Sequence, residues 1–213
     1  MVYRRTANVV RRLAEREQTI LDAAQSIAGE DGMGAVQIAA VAQRADIAAG
    51  TVYRYFPSKN DLVAEMIATM ADRELAAMRA AADAAPGPLS ALAASIATFA
   101  ARALQERRLA WAMTAEPVDA DIDASRLNFR RALVGELEKR IRAAIAGRHL
   151  PEQDAGFAAP AIVGAVLEGL VGPLAASGST TREAVQIVTL LALRALGVVD
   201  ARARGLVAQC ALP

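Results

Sequence analysis

Apolar residues recur along most of this chain at the spacing of one face of an α-helix, and the clearest case lies between residues 37 and 56. The first half of this segment has one apolar stripe at i, i+3, i+4 and i+7, formed by Ile38, Val41, Ala42 and Ala45. Residues 46–48 are too few for anything but a turn. The pattern therefore predicts two short helices joined by a tight turn, the second from about Ala49 to Phe56.

The turn and the second helix carry the residues that indicate a function. Asp46 sits where the chain must reverse, and aspartate tolerates the left-handed conformation better than most residues. Residues 49–51 are small, so another surface can approach the start of the helix closely, and its free N–H groups favour an anion. Residues 53–55 and Lys59 add hydroxyls and cations, which suit phosphate oxygens and base edges. This arrangement is typical of a helix-turn-helix motif, whose second helix enters the major groove of DNA.

Residues 49–62, AGTVYRYFPSKNDL, resemble the signature of TetR-type transcriptional regulators. The resemblance covers roughly residues 14–74 and includes an amphipathic helix with Ile20, Leu21, Ala24 and Ile27. It implies an all-α fold, in which an N-terminal three-helix DNA-binding domain precedes a larger helical domain that binds an effector and dimerises. It further implies a cytoplasmic homodimer, a repressor that a small molecule releases from a palindromic operator.

Three positions depart from the family pattern. Gln37 stands where the family usually has threonine, Asp46 where it has glycine, and Ala48 where it has serine. Gln37 can donate to a phosphate but caps a helix less well than threonine, and Ala48 has no side-chain cap to offer. We infer no loss of DNA binding from these differences.

DNA contacts are predicted from the motif and from the charge of the N-terminus. Residues 1–16 hold five arginines and one glutamate, so this arm can reach the DNA backbone or the minor groove, although a solvated tail explains it equally well. The predicted DNA-contacting residues are Arg4, Arg5, Gln37, Arg44, Ala49, Gly50, Thr51, Tyr53, Arg54, Tyr55 and Lys59. Arg44 and Lys59 are assigned to phosphates.

The rest of the chain is also predicted to be helical. Apolar residues make up 54% of the sequence and aromatic residues 4%, with long alanine- and leucine-rich runs and few β-branched clusters. We divide the chain into a basic arm (1–13), a helix-turn-helix domain (14–57), an effector and dimerisation domain (58–200) and a C-terminal tail (201–213).

Two successive late segments, about 157–176 and 181–197, are apolar on more than one face. One subunit of this size cannot bury both helices fully, so we expect them to pair with their copies in a homodimer. Pro160, Glu168 and Pro173 interrupt the first segment, which favours a buried helix over a membrane span.

An effector pocket is implied by the resemblance, and adaptable apolar side chains suit it. Its predicted residues are Met66, Met70, Phe99, Trp111, Met113, Glu116, Phe129 and Glu168. Residue by residue, ordinary core packing explains these side chains as well. A regulator controlled by a protein partner, or by no ligand, remains the alternative.

Other chemistry has little support in the sequence. The chain has one histidine, His149, and one cysteine, Cys210, so a metal site or a histidine-based nucleophile is not predicted. Asp119, Asp121 and Asp123 lack the glycine and glutamate of a calcium loop. We therefore predict no cofactor and no metal, and we keep a helical enzyme only as a remote alternative.

Overall fold

The computed structural model describes residues 7–116, 120–175 and 179–210, with the backbone alone for Ala7 and Asp121. Across these ranges the chain forms ten α-helices and no β-strand, which confirms the all-α prediction. The helices are α1 (Ala7–Asp31), α2 (Ile38–Arg44), α3 (Ala49–Tyr55), α4 (Lys59–Asp83), α5 (Pro88–Gln105), α6 (Arg107–Thr114), α7 (Ala120–Ala146), α8 (Ala155–Val166), α9 (Thr181–Ala195) and α10 (Asp200–Gln209). A 3₁₀ turn, Met33–Ala35, follows α1, and a π-helical turn, Leu167–Val171, extends α8.

The first three helices form the N-terminal domain around a small apolar core. Ile20 of α1, Val41 of α2 and Val52 of α3 are completely buried, and Phe56 follows α3 into the same core. α1 already begins at Ala7, so the second half of the predicted basic arm is part of a helix. Arg4 and Arg5 lie outside the described residues.

α4 connects the N-terminal domain to the larger one. The hydroxyl of Ser58 accepts the N–H of Asp61 at 3.1 Å, so Ser58 caps the start of this helix. Leu62 and Val63 pack into the shared core, and α4 then runs along α5 and α7. The helix ends at Asp83, shortly before the Pro-Gly-Pro sequence at 86–88.

α5 is the central helix of the larger domain. Twelve of its 18 residues are buried, because α4, α7 and α9 pack around it. The predicted C-terminal tail contains a helix of its own, α10, which packs on α9 and α5 with Ala203 buried. Only two of its ten residues, Leu206 and Val207, are large and apolar, too few to form a recognisable helical stripe.

The late apolar helices differ slightly from their predicted bounds. α8 and its π-helical turn end at Val171, earlier than the predicted residue 176, and α9 ends at Ala195. The side chain of Thr180 and that of Glu183 form the capping box that begins α9. No helix in the described ranges has both the length and the apolar content to cross a bilayer.

Candidate DNA-contacting surface and effector cavity

The turn between α2 and α3 holds α3 on the surface of the N-terminal domain. Asp46 has a φ of 52°, the left-handed conformation predicted for it. The N–H of Ile47 donates to the carbonyl of Ala42 at 3.0 Å, and this bond closes the turn. Val52 and Phe56, one helical turn apart, anchor the inner side of α3 in the core. The opposite, outer side of α3 therefore faces away from the core of the domain.

That outer side of α3 presents a small start and a polar end. Ala49, Gly50, Tyr53 and Arg54 are all exposed, and their i, i+1, i+4, i+5 spacing places them on one face. Tyr53 keeps 53% of its surface exposed. Arg54 forms no ion pair with any described residue. The face thus offers a guanidinium and a phenol to a partner outside the chain.

Gly50 has no packing reason to be a glycine in the free protein. A Cβ atom added there would meet no heavy atom within 4 Å, apart from its own helix backbone and its chain neighbours. Glycine weakens a helix relative to alanine. The open space in front of Gly50 fits the predicted close approach of another surface.

The start of α3 has no side-chain cap. Ala48 occupies the N-cap position, and the hydrogen bond of the Thr51 N–H to its carbonyl, at 2.8 Å, is the local closure. Thr51 and Tyr55 are half-buried, and Tyr55 packs against the core. Lys59, at the start of α4, is half-buried and forms no ion pair among the described residues.

Two predicted DNA contacts have partners within the protein. The side-chain amide of Gln37 donates to the carbonyl of Gly34 at 2.9 Å and gives α2 no side-chain cap. Arg44 forms a two-pronged pair with Glu30 of α1, with both N–O distances at 2.8 Å, and also donates to the hydroxyl of Ser26. The bonds from Arg44, together with one from the hydroxyl of Ser26 to Oε1 of Glu30, lower the pKa of Glu30 to about 2. Arg44 thus fastens α2 to α1, and its phosphate contact stays a prediction.

A cavity of about 200 Å³ lies among the helices of the larger domain. Four of the predicted pocket residues line it, namely Met70, Phe99, Met113 and Phe129. Leu109 of α6 and Leu167 of the π-helical turn complete the apolar wall. Gln25 reaches the cavity from α1, so the N-terminal domain contributes directly to its lining.

The other four predicted pocket residues lie elsewhere. Met66 is buried in the core shared with the N-terminal domain, one turn of α4 away from the cavity. Trp111 is half-buried on α6, outside the lining set, and Glu168 is exposed on the π-helical turn. Glu116 turns instead toward the residues that follow α1. Helical spacing identifies buried side chains, but it does not show where packed helices leave a void.

A pair of charged residues that helical spacing did not indicate, Glu74 and Arg102, forms a polar wall of the cavity. Nε of Arg102 on α5 donates to Oε2 of Glu74 on α4 at 2.6 Å. The Glu74 side chain is only 13% exposed, and its Oε1 is buried without a hydrogen-bond partner among the described residues. Burial raises the pKa of Glu74, against the opposing effect of Arg102. Helical spacing relates residues of one helix only, so it could not indicate this pair, whose members lie on α4 and α5.

α6 links the cavity to the N-terminal domain. Its inner face lines the cavity through Leu109 and Met113, while the helix packs on α1. Just after α6, Glu116 accepts the backbone N–H of the buried Met33 at 2.8 Å. Near the start of α6, Nε of Arg108 donates to the carbonyl of Glu30 at 3.2 Å. Both ends of α6 therefore hold the segment that leads into the helix-turn-helix.

Gly32 is enclosed by this link. It has a φ of +88°, which favours glycine, and a Cβ atom there would lie 2.5 Å from Oε1 of Glu116. From the opposite side, Arg126 of α7 is buried and donates to the carbonyls of Ala112 and Glu116. A guanidinium at the C-terminal end of α6 satisfies carbonyls that the helix leaves free. The Arg126 side chain thereby fixes the position of Glu116. We call the contacts of Arg108 and Glu116 with residues 30–33 the α6 joint.

The N-terminal geometry agrees with the comparisons to known proteins. Residues 20–66 match the family model described as bacterial regulatory proteins, tetR family. The repressor KstR of Rhodococcus jostii is 51% identical over 59 residues, which are 28% of each chain. KstR of Mycolicibacterium smegmatis is 59% identical over 49 residues, 23% of this chain and 24% of that protein. The matched part spans about a quarter of these relatives.

Solved structures resemble the whole chain in fold. The fatty acid degradation regulator FadR of Bacillus halodurans has a TM-score of 0.76 at 19% identity, covering 86% of this chain and 97% of its own. RolR, solved in complex with resorcinol, has a TM-score of 0.67 at 22% identity, covering 94% and 98%. At these identities the likeness shows the fold alone. The N-terminal domain of this chain, over residues 20–66, is therefore that of the tetR family of bacterial regulatory proteins, and the chain as a whole shares the fold of FadR and RolR.

Proposed function

We propose that this protein is a homodimeric, DNA-binding transcription regulator of the cytoplasm, a repressor that a small molecule releases from a palindromic operator. The observation that carries the proposal is the exposed face of α3, with its open Gly50 and unpaired Arg54. That face lies within residues 20–66, which match the family model of bacterial regulatory proteins of the tetR family. The proposed function is not enzymatic.

The proposed DNA complex places α3 in the major groove. The small residues 49–51 approach base edges, Tyr53 and Arg54 reach bases and phosphates, and Lys59 holds a phosphate beside the groove. Two such helices in a symmetric dimer lie one turn of DNA apart, about 34–36 Å, or a multiple of that distance. The operator is then a palindrome with this spacing.

The proposed dimer forms through the α8 and α9 region. Phe157 on α8 is 76% exposed, and Leu174, after the π-helical turn, is 84% exposed. On α9, Ile187 and Leu191 lie one turn apart and are 61% and 55% exposed. Large apolar side chains exposed on these elements support burial against a second copy of the chain.

The proposed effector acts through α6. A molecule in the cavity pushes on Leu109 and Met113, and the α6 joint passes the displacement to residues 30–33 before α2. The ligand then favours a conformation in which the two α3 helices no longer fit one DNA face. By linkage, operator DNA weakens ligand binding by the same factor. A ligand that binds in the cavity without changing operator affinity would contradict this mechanism.

The test is binding to DNA taken from upstream of the protein's own gene, at several salt concentrations. Specific binding that Arg54→Ala and Lys59→Ala weaken supports the proposal. Loss of one phosphate contact in each of two half-sites should reduce the slope of log K against log salt by about 2. Arg202→Ala, which removes an exposed arginine of α10, is the matched control. Weak binding to every DNA sequence, unaffected by the two substitutions, would contradict it.

A further inference from the structure

The cavity combines a small volume with an apolar wall and one unusual polar group. Its volume of about 200 Å³ is close to that of engineered cavities of about 150 Å³ that hold benzene. A single ring with a few substituents fits this volume. Met70, Phe99, Met113 and Phe129 provide surfaces on which an aromatic or aliphatic ring can pack.

The unusual group is the carboxylate of Glu74. One of its oxygens accepts from Arg102 at 2.6 Å, while Oε1 is buried without a partner among the described residues. Leaving a buried acceptor of a charged group without a donor is unfavourable. The nearby hydroxyl of Thr114 does not fill this role, because it donates to the carbonyl of Ala110 at 2.6 Å. A ligand in the cavity that Glu74 lines can therefore supply the donor that the described residues do not.

The charged side chains around the cavity disfavour the binding of a cation and of an anion alike. Two arginines and two glutamates line it, Arg73 and Arg102 against Glu74 and Glu106, so the lining has no net charge. A cation would meet Arg102 beside Glu74, and an anion would meet the carboxylate itself. A neutral hydroxyl or N–H group has neither of these unfavourable charge interactions.

We propose that the effector is a neutral molecule of one-ring size whose hydroxyl or N–H group donates a hydrogen bond to Oε1 of Glu74, with its ring against Phe99, Met113 and Phe129. This proposal rests on the effector cavity of the proposed function and specifies its ligand class. Glu74 selects the ligand by its donor group, and Arg102 positions Glu74.

The first experiment compares ligands of equal size on the full-length protein. Benzyl alcohol, anisole and ethylbenzene have the same number of heavy atoms, but only benzyl alcohol carries a donor. By calorimetry, benzyl alcohol should bind about tenfold more tightly than the other two, the factor expected for a hydrogen bond to a charged acceptor. 4-Biphenylmethanol, which adds a second ring, should bind no more tightly than benzyl alcohol. Equal affinities for the three, or much tighter binding of the two-ring alcohol, would overturn the proposal.

The second experiment reverses the preference. In Glu74→Gln the amide oxygen keeps the bond from Arg102, so its NH₂ group takes the place of Oε1 and becomes a donor. Benzyl alcohol should lose about tenfold in affinity, and anisole, an acceptor, should gain several-fold. Glu106→Gln, at the other lining carboxylate, should leave the order of affinities unchanged. Thermal unfolding confirms that both variants fold, and the ligand series on the unmodified protein stands without them.

These measurements separate the ligand class from the proposed function. Operator binding is measured without any ligand, so it can succeed whatever the calorimetry shows. If none of the three probes binds at millimolar concentration while operator DNA does, the assignment of the cavity to a one-ring donor is wrong and the DNA-binding role stands.

Discussion

The fold of the free protein explains the identity of some residues but not of others, and Gly50 is a residue that it does not explain. Nothing in the free protein occupies the space in front of it, so the fold alone would tolerate alanine. Asp46 shows the opposite case, because its φ of 52° is needed to close the turn. Because Gly50 lies on the exposed α3 face, we expect DNA binding to be the reason that a glycine stands there, and a substitution can test this.

Gly50→Ala should therefore stabilise the protein and weaken its DNA binding. Removing a helical glycine should raise the free energy of unfolding by about 0.5–1 kcal/mol. The new methyl group should lower operator affinity by about tenfold or more if α3 lies close to the DNA. Denaturant unfolding and operator titration measure the two effects. Gly135→Ala, on the exposed side of α7 and also in open space, should change stability alone.

The pair of Glu30 and Arg44 makes a pH-dependent contribution to stability. Arg44 and Ser26 lower the pKa of Glu30 to about 2, below the value of about 4.3 expected in the unfolded chain. A depressed carboxylate pKa stabilises the fold above the unfolded pKa, and the contribution is lost as the pH falls from about 4.3 toward 2. Glu30→Gln should thus lower the denaturant midpoint at pH 7, with a difference that shrinks between pH 5 and pH 3. Glu152→Gln, at an exposed loop carboxylate, should show no such trend.

At the scale of elements, α6 is the part that touches both the cavity and the N-terminal domain. The short helix has its inner face on the cavity, and the α6 joint connects it to residues 30–33. Because Met33 is fully buried, its N–H depends on Glu116 for a partner. The contact of Glu116 with Met33 is therefore a specific part of the α6 joint that one substitution can remove.

Glu116→Ala should expose this dependence. The unpartnered N–H of Met33 should cost about 1–3 kcal/mol of stability, and its amide hydrogen should exchange faster with solvent. Glu116→Gln keeps an acceptor oxygen and should cost less. Hydrogen exchange followed at the Met33 amide makes the comparison directly. Equal protection of that amide in the alanine variant would show that the contact does not hold the segment.

The elements also show where sequence reasoning succeeds and where it stops. The stripe at Ile38 and Val41 and the capping residues Ser58 and Thr180 act locally, so the helix starts and the motif were predictable. The cavity depends on how five helices and the π-helical turn diverge, so helical spacing could not show that Met66 and Trp111 lie outside its lining. Glu74 and Arg102 meet across two helices, a contact that no spacing rule indicates.

At the scale of the whole molecule, the two ends of the fold expose different surfaces. The α3 face is polar and small, whereas the α8 and α9 region is apolar, with Phe157 and Leu174 more than three-quarters exposed. A symmetric pair joined at the apolar region carries two α3 faces on one assembly. Simultaneous binding of two half-sites then raises affinity well beyond that of either face alone.

The double substitution Ile187→Glu and Leu191→Glu tests this coupling between assembly and DNA binding. Both side chains are more than half exposed on one face of α9, so glutamate should be tolerated in a single subunit and should prevent pairing. Light scattering should show a monomer of 22.3 kDa in place of a dimer. Operator affinity should fall by about 100-fold or more, because the two half-sites are no longer bound together.

Leu127→Glu is the control for this experiment. Leu127 is also an exposed apolar residue, at 36% of its surface, but it lies on α7, outside the proposed α8 and α9 interface. It should leave both mass and operator affinity unchanged. Loss of dimer with full operator affinity would mean that one α3 face suffices for binding, and the palindromic operator would then be wrong. A dimer that persists in the double variant would place the interface elsewhere on the molecule. If the mass in solution and the operator affinity of the double variant both fall, DNA recognition depends on dimerisation through the apolar surface of α9.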